Sequence, residues 1–490
     1  MLQNLKKEAN VTLTENGAIT NSTSGSDCLD LFATVGAIRR QSEQNIIKRF
    51  IRAFSEDKDI ATKILFYARD IRGGLGERRV FRVILKWLAF NESNTVKKNL
   101  PFVAEYGRFD DLLVLFDTPC EGDMLALIKS QFDLDMKALE GSGEVSLLGK
   151  WLPSVNTSNK EAVAMAKKIV AYFGMSEREY RKALVKLRAR IQIIENNLRE
   201  KDYTFDYSKQ PSQAMLKYRS AFIRHDRDRY SNFLNRVEKG EAKLNTSTLA
   251  PYELVDPLVS FNSLKEISED EEKAINTTWA ALPDYGSEEN ALAVIDVSGS
   301  MYWFGVKPYP ISVAMSLGIY FAERNKGPFK NHFIMFSATP QLVEIKGETF
   351  VDKVRYISTF NEVANTDVEA VFDLILATAV KNNLPQSDLP DRLYLISDME
   401  FDAAVENAEL SNFENAKKKY KERGYKLPEI VFWNVASRNM QQPVTMNEKG
   451  VVLVSGCTPK IFEMVAGGQT DPYAFMLQVL GSERYAKIKA

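Results

Sequence analysis

Histidine and cysteine are the scarcest reactive residues of this chain, which has two histidines and three cysteines. Cys28, Cys120 and Cys457 are too few and too far apart to predict a disulfide framework or a zinc site. His225 and His332 stand in no recognisable catalytic triad, and no phosphatase-type DxDxT pair or GxSxG nucleophile motif is completed. We therefore expect a binding protein and not an enzyme. The enzymatic route that stays open is activation of water by a bound metal, which needs no histidine.

Long apolar runs and an excess of charge of one sign are also missing. No stretch approaches 18 uncharged apolar residues, and the opening MLQNLKKEANVTL lacks the apolar core of a signal peptide. The formal net charge is -1, so any attraction to nucleic acid or to a membrane must be local. These absences predict a cytoplasmic protein with no membrane partner.

Three regions with different sequence patterns follow one another along the chain. Residues 1–27 are polar and predict an extended or disordered arm. In residues 28–285 apolar side chains recur at helical spacing, which predicts an array of amphipathic helices. In residues 286–490 strand and helix patterns alternate, which predicts a doubly wound α/β sheet with an antiparallel edge hairpin turned at Thr339-Pro340. The expected fold class is therefore a multidomain α plus α/β protein.

Oxygen side chains follow the predicted buried strand in the stretch ALAVIDVSGSM. Asp296, Ser298 and Ser300 stand at alternate positions directly after its apolar residues. A loop at the carboxyl end of a parallel strand is where open α/β sheets bind ligands. Mg²⁺ takes six oxygen ligands and keeps part of its water, so a few protein ligands suffice. For this loop alone, a solvated turn with a hydroxyl helix cap is an equally good interpretation.

Two later oxygen side chains favour the metal interpretation. Thr366 precedes a helical pattern, and Asp398 ends the apolar strand pattern LYLIS. Chain order, position at strand ends and oxygen-only chemistry then agree for the whole set. We predict a site for Mg²⁺, or for another divalent cation such as Mn²⁺, with the ligands Asp296, Ser298, Ser300, Thr366 and Asp398.

This set of five residues resembles the metal-ion-dependent adhesion site (MIDAS) of von Willebrand factor A domains, which carries DxSxS, then Thr, then Asp. The resemblance covers roughly residues 286–490. It implies a Rossmann-like von Willebrand factor A domain in this range. It also implies that the bound metal recruits an acidic group of a partner as its sixth ligand.

Arginines cluster in a glycine-rich turn of the helical half, RDIRGGLGERRVFR. The turn is not a dinucleotide-binding loop, because Arg79 occupies the position of the last glycine in GxGxxG. Phosphate contacts and a salt-bridged helix corner are two interpretations of equal weight. The candidate RNA contacts in this turn are Arg69, Arg72, Arg78, Arg79 and Arg82.

The most basic part of the helical half spans residues 180–240, with 15 Lys and Arg against 7 Asp and Glu. Lys182, Lys186 and Arg190 fall on one face of a predicted helix and suit a row of phosphates. A second group of candidates is interleaved with aromatic residues, as stacking on unpaired RNA bases requires; it consists of Arg219, Arg224 and Arg227. The alternative for both groups is a solvated basic helix face without a ligand.

The order of motifs in the helical half is more specific than any one of them. GAIR, YARDIRGGLGER, YGRFDD, KWLPS, YRK, PSQA and PYELV precede the metal motif. This order resembles a family of eukaryotic, bacterial and viral proteins that is similar to the Ro autoantigen. Ro joins a TROVE module, a ring of HEAT-like helical repeats, to a von Willebrand factor A domain, and it binds misfolded RNA ends and structured small RNAs.

The resemblance to the Ro family implies a HEAT-like ring or arc and RNA binding. The leading hypothesis is therefore a ribonucleoprotein-like protein that binds small structured or misfolded RNA and carries a metal-dependent ligand site. The alternative is a scaffold or adaptor that binds no RNA and uses its metal site to engage an acidic residue of a protein partner.

Overall fold

The computed structural model of the chain describes all residues except 142, 260–263, 287, 303–304, 306, 337–338, 361–365 and 404–409, and the side chain of Gln3. Helices dominate the first 280 residues, and a six-stranded sheet with flanking helices follows. This order confirms the predicted combination of a helical half and an α/β half. None of the helices within these described ranges is long and apolar enough to cross a bilayer.

The first half contains a short hairpin and an array of helices. The hairpin pairs β1 (Val11–Leu13) with β2 (Ile19–Asn21) in antiparallel fashion. The helices are α1 (Leu2–Asn10), α2 (Asp27–Thr34), α3 (Glu43–Glu56), α4 (Lys58–Arg69), α5 (Arg78–Asn91), α6 (Ser93–Asn99), α7 (Val103–Tyr106), α8 (Glu121–Leu139), α9 (Leu148–Trp151), α10 (Lys160–Phe173), α11 (Glu177–Arg190), α12 (Ile194–Glu200), α13 (Ser212–His225), α14 (Arg227–Glu238), α15 (Tyr252–Val255) and α16 (Glu269–Ala280).

The second half places helices around one sheet. Its strands are β3 (Ala291–Asp296), β4 (His332–Phe336), β5 (Gln341–Glu344), β6 (Arg392–Ser397), β7 (Glu429–Asn434) and β8 (Val451–Ser455). Its helices are α17 (Pro310–Arg324), α18 (Phe350–Ile357), α19 (Val368–Asn382), α20 (Asn412–Glu422), α21 (Lys460–Ala466) and α22 (Pro472–Leu480).

The strand order of the sheet is β5-β4-β3-β6-β7-β8, and all neighbours are parallel except the β4–β5 pair. The antiparallel edge hairpin predicted around Thr339-Pro340 is therefore confirmed. Strands β3 and β6 are buried along their whole length, which is why their sequences are apolar without alternation. The order of strands reverses between β3 and β6, so their carboxyl ends form the switch point of the sheet, where α/β proteins bind ligands.

The two halves share one hydrophobic core. Helix α2 packs against β8, while α15 and α16 pack against α17 and α18. A single apolar cluster extends from Ala18 to Ile488, and a smaller cluster lies around α13 and α14. The helical half therefore contacts the α/β half at two places. Its beginning, α2, lies beside β8, and its end, α15 and α16, lies beside α17 and α18.

The N-terminal arm differs from the predicted extended or disordered segment. It forms α1 and the β1–β2 hairpin, and Asn21 exchanges two backbone hydrogen bonds with Gln442 at 3.1 and 2.7 Å. Several of its polar groups bind partners about four hundred residues away along the chain, as for Thr20 Oγ1 and the Gln442 carbonyl, 422 positions apart. No local sequence pattern reveals such partners.

Candidate metal centre and basic helix face

Two aspartates emerge side by side at the switch point of the sheet. Asp296 ends β3, Asp398 follows β6, and Ile295 lies opposite Ile396 in the parallel register. Both aspartates are buried, with 0% and 2% of their surface exposed. Burial, and then repulsion by Asp398, raises the pKa of Asp296 to about 7. Burial also raises the pKa of Asp398.

Hydroxyl groups complete the surroundings of these carboxylates. Ser298 donates its backbone N–H to Asp296 Oδ1 at 2.8 Å, and its Oγ lies 3.2 Å from Ser300 Oγ. Ser300 hydrogen-bonds to Asp398, which lowers the pKa of Asp398 against the larger effect of burial. Ser397, which sequence analysis missed, donates its hydroxyl to Asp296 Oδ2 at 2.6 Å. The structure therefore brings Asp296, Ser298, Ser300 and Asp398 together.

Thr366, the fifth predicted ligand, lies on a separate segment, beside the chain that follows β6. It is buried, and its backbone N–H donates to Asp402 Oδ2 at 2.8 Å. Its hydroxyl lies 3.5 Å from Asn16 Nδ2 of the N-terminal hairpin. Within the described residues no hydrogen bond joins Thr366 to the other four candidates. Its place as a ligand stays a prediction.

The chemistry of the donor set fits a hard divalent cation. It consists of carboxylate and hydroxyl oxygens, the donors that Mg²⁺ and Ca²⁺ prefer. In the part of the chain that the structure describes, no group of three or more His, Cys, Asp or Glu is arranged to hold a metal. A cation here would therefore depend on the serine hydroxyls as well as on the two aspartates. Two buried carboxylates without full neutralisation are costly, and a divalent cation would remove that cost.

Arg438 is a further residue of this edge that sequence analysis missed. Its guanidinium group donates to Asp398 Oδ2 at 3.0 Å and pairs with Glu15 Oε2 at 2.7 Å. Arg438 follows β7, the parallel neighbour of β6. In the sequence, its position shortly after a predicted strand was the only feature that indicated this edge of the sheet. Among the described residues no cation forms an ion pair with Asp296.

The glycine-rich turn forms a salt-bridged helix corner. Arg69, 2% exposed, binds Asp111 Oδ2 through Nε at 2.8 Å and through Nη2 at 2.7 Å. Arg82 binds Asp111 at 2.6 Å and Asp110 at 2.7 Å. The prediction that Arg69 contacts RNA is therefore corrected, because a buried and fully paired guanidinium cannot reach a phosphate. Arg82 shares these two aspartates with Arg69 and Arg108.

The other arginines of this turn are exposed. Arg72 and Arg79 donate to backbone carbonyls of neighbouring segments at 3.1 and 2.8 Å. Partial burial, followed by repulsion from nearby guanidinium groups, lowers the pKa of Arg78. Within the described residues Arg78 forms no ion pair, so it is the member of this group that is best placed for a phosphate.

Helix α11 carries the most basic exposed face among the predicted RNA contacts. A capping box between Ser176 and Glu179 begins the helix, with hydrogen bonds of 2.8 and 3.2 Å. Its apolar positions Tyr180, Leu184 and Leu187 are buried. The opposite face presents exposed cations that form no ion pair with any described residue: Arg178, Arg181, Lys182, Lys186 and Arg190. Their charges are directed to solvent.

The aromatic-rich segment after α12 is less accessible than its sequence predicts. Phe222 and Tyr230 are 0% and 4% exposed in the smaller core, so they cannot stack on bases. Arg219 is half-buried, and Arg227 pairs with Asp270 at 2.7 Å. Arg224 is exposed. The prediction of base stacking is therefore wrong for Phe222 and Tyr230, and it stays a prediction for Tyr218, which is only half-buried.

Comparison with known proteins gives two domain families and one full-length relative. Models of two domains of unknown function match the chain, DUF2828 at residues 14–129 and 160–285 and DUF7788 at residues 290–472. An uncharacterized protein of Acanthamoeba polyphaga mimivirus is 31% identical over 510 residues, which cover 96% of this chain and 87% of that protein.

The chain was also compared with solved structures. The crystal structure of the RO (RSR) protein of Deinococcus radiodurans aligns over 94% of this chain and 100% of its own length. The sequence identity is 12% and the TM-score is 0.33. At these values the ring of HEAT-like repeats and the binding of RNA stay predictions.

The raised pKa of Asp296 predicts a specific pH dependence of stability. Native Asp296 keeps a proton that the unfolded chain releases above about pH 4. The contribution of Asp296 to the free energy of unfolding is therefore most favourable below pH 4 and is lost as the pH rises to about 7. In EDTA, Asp296→Asn should therefore gain at least about 1 kcal/mol in free energy of unfolding, relative to wild type, between pH 5 and pH 8. Urea unfolding measures the difference. The exposed control Asp388→Asn should show no such trend, and a constant difference for Asp296→Asn would contradict the prediction.

Proposed function

We propose a metal-dependent binding function for this chain, which belongs to the family of the mimivirus protein and carries the DUF2828 and DUF7788 domains. The carboxyl edge of the sheet binds a divalent cation, Mg²⁺ or Mn²⁺, and through it an acidic group of a ligand. The observation that carries this proposal is the buried pair Asp296 and Asp398, with Ser298 and Ser300 beside it. The arrangement supports the MIDAS that the resemblance to von Willebrand factor A domains predicts.

Each residue has a separate task in this proposal. Asp296, Ser298 and Ser300 would hold the cation, while Asp398 and Thr366 would bind it directly or through water, as Mg²⁺ keeps part of its hydration shell. Ser397 fixes the orientation of the Asp296 carboxylate through the 2.6 Å hydrogen bond. The cation supplies a positive charge to which a carboxylate of a partner can bind. The proposed role is binding and not catalysis.

The metal proposal is tested by cation-dependent stability. A ligand that binds only the folded chain stabilises it by about 2.7 kcal/mol at one hundred times its Kd. Mg²⁺ or Mn²⁺ should therefore raise the Tm of the wild type, and Ser298→Ala and Asp398→Asn should abolish most of the rise. Ser387→Ala, which removes an exposed hydroxyl elsewhere, serves as the control and should respond like the wild type. An equal rise in all four proteins would place the cation elsewhere.

A second function, RNA binding, is favoured by helix α11. Its five exposed cations lie on one helix of 14 residues and form no ion pair within the described residues. Unpaired cations in a row can replace the counterions that phosphates hold, which gives a salt-dependent affinity for a polyanion. The rest of the chain offsets this charge, since the formal net charge is -1. The binding is therefore local to α11, and single-stranded or structured small RNA is the proposed ligand.

Charge reversal on α11 tests this second function. Lys182→Glu with Arg190→Glu should weaken binding of a fluorescent single-stranded oligoribonucleotide on the order of tenfold and should lower the slope of log K against log salt by about 1.4. Fluorescence anisotropy between 50 and 200 mM salt measures both effects. The control pair Lys326→Glu with Lys330→Glu changes the same charge on an exposed segment of the second half, and Asp296→Asn should retain RNA binding. Equal affinity of both double variants would place the RNA elsewhere on the chain, and no binding by the wild type would favour an adaptor without RNA.

A further inference from the structure

The N-terminal hairpin sits on the edge of the sheet that carries the candidate metal centre. Thr14 Oγ1 donates to the carbonyl of Phe401 at 2.6 Å. The backbone N–H of Glu15 donates to Glu400 Oε2 at 2.8 Å, and Asn16 Nδ2 donates to the Glu400 carbonyl at 2.6 Å. Three consecutive residues of the hairpin tip are thus fixed to the segment that follows β6 and Asp398.

The same tip reaches a predicted metal ligand. Asn16 Nδ2 lies 3.5 Å from the hydroxyl of Thr366. Gly17 forms an antiparallel bridge with Asp402, whose carboxylate holds the backbone of Thr366 at 2.8 Å. Because the tip covers this side of the centre, a partner that approaches Thr366 must displace it.

Arg438 connects the hairpin to the other side of the centre. One of its terminal nitrogens is 2.7 Å from Glu15 Oε2, and the other is 3.0 Å from Asp398 Oδ2. Asn439 adds a hydrogen bond of 3.0 Å to Glu15 Oε1. One guanidinium group therefore holds a carboxylate of the hairpin and a carboxylate of the metal centre at once.

We infer that the hairpin tip, residues 14–17, is a latch that Arg438 holds beside the metal centre, where an acidic partner would bind, and that a divalent cation competes with Arg438 for Asp398. This inference rests on the proposed metal function. A cation on Asp398 takes the oxygen that Arg438 now binds, and it repels the guanidinium by their like charges. Glu15 then loses its link to Asp398, and the tip, which keeps its hydrogen bonds to Glu400 and Phe401, is held less tightly. The partner of this surface is a segment with a carboxylate in a turn, for which Glu15-Asn16-Gly17 is the resident example.

Because coupling between two sites is reciprocal, the direction in which the cation affinity changes when the hairpin contact is weakened can be predicted and measured. If the docked hairpin and the bound cation exclude one another, a substitution that weakens docking of the hairpin by a given factor strengthens cation binding by the same factor. Glu15→Gln keeps the size of the side chain and removes the charge that holds Arg438. The Mn²⁺ affinity of the full chain, measured by titration calorimetry, should rise about two- to fivefold, the range expected for a half-exposed ion pair.

Hydrogen–deuterium exchange of residues 11–21 provides the second measurement. In the wild type, Mg²⁺ should accelerate exchange in this segment, whereas Glu15→Gln should exchange fast with or without Mg²⁺. The matched control is Glu8→Gln, which neutralises an exposed glutamate of α1 in the same N-terminal segment. It should keep both the Mn²⁺ affinity and the exchange pattern of the wild type.

The possible results separate this inference from the function on which it rests. Tighter Mn²⁺ binding by Glu15→Gln together with Mg²⁺-dependent exchange in the wild type supports the latch. Mn²⁺ binding by the wild type with equal or weaker binding by Glu15→Gln, and with unchanged exchange, overturns the latch and leaves the metal centre intact. A wild type that binds no Mn²⁺ overturns the metal function and the latch with it.

Discussion

The burial of two neighbouring carboxylates is the constraint on which this edge of the sheet depends. Parallel pairing of β3 with β6 forces Asp296 and Asp398 to leave the sheet at adjacent positions. Burial favours the neutral form of both acids, and mutual repulsion adds to this effect for Asp296. Hydrogen bonds from Ser298 and Ser397 compensate only part of the cost, because hydroxyl and amide dipoles carry no net charge. Below about pH 7 a proton on Asp296 relieves this cost, and above that pH a cation is the remaining means of compensation.

Arg438, the cation that the chain itself supplies, ties the N-terminal hairpin to this edge. Arg438 satisfies Asp398 and at the same time holds Glu15, so neutralisation of the centre and docking of the N-terminal hairpin share this residue. The hydrogen bond between Glu15 and Glu400 joins residues that are 385 positions apart. On the proposed metal function, a bound metal would change this balance of charge, and the hairpin would be the element that responds.

Sequence patterns predicted those features that depend on local geometry. A strand that ends in DxSxS, and a second apolar strand that ends in Asp398, were sufficient to place four oxygen side chains together, because parallel strands share one carboxyl edge. Helical periodicity likewise predicted which face of α11 is exposed. By contrast, Arg69 is buried against an aspartate 42 residues away, and Arg438 and Glu15 meet only in the folded chain. Charge composition cannot distinguish an internal ion pair from a surface cation.

The central claim is that a divalent cation completes the neutralisation of Asp296 and Asp398. Anomalous diffraction from crystals of the full chain grown with millimolar Mn²⁺ tests it most directly. The account predicts a manganese peak bounded by Asp296, Ser298, Ser300 and Asp398, with Arg438 moved away from Asp398. The absence of a peak at this edge, with Arg438 still bound to Asp398 in the presence of Mn²⁺, would contradict the claim.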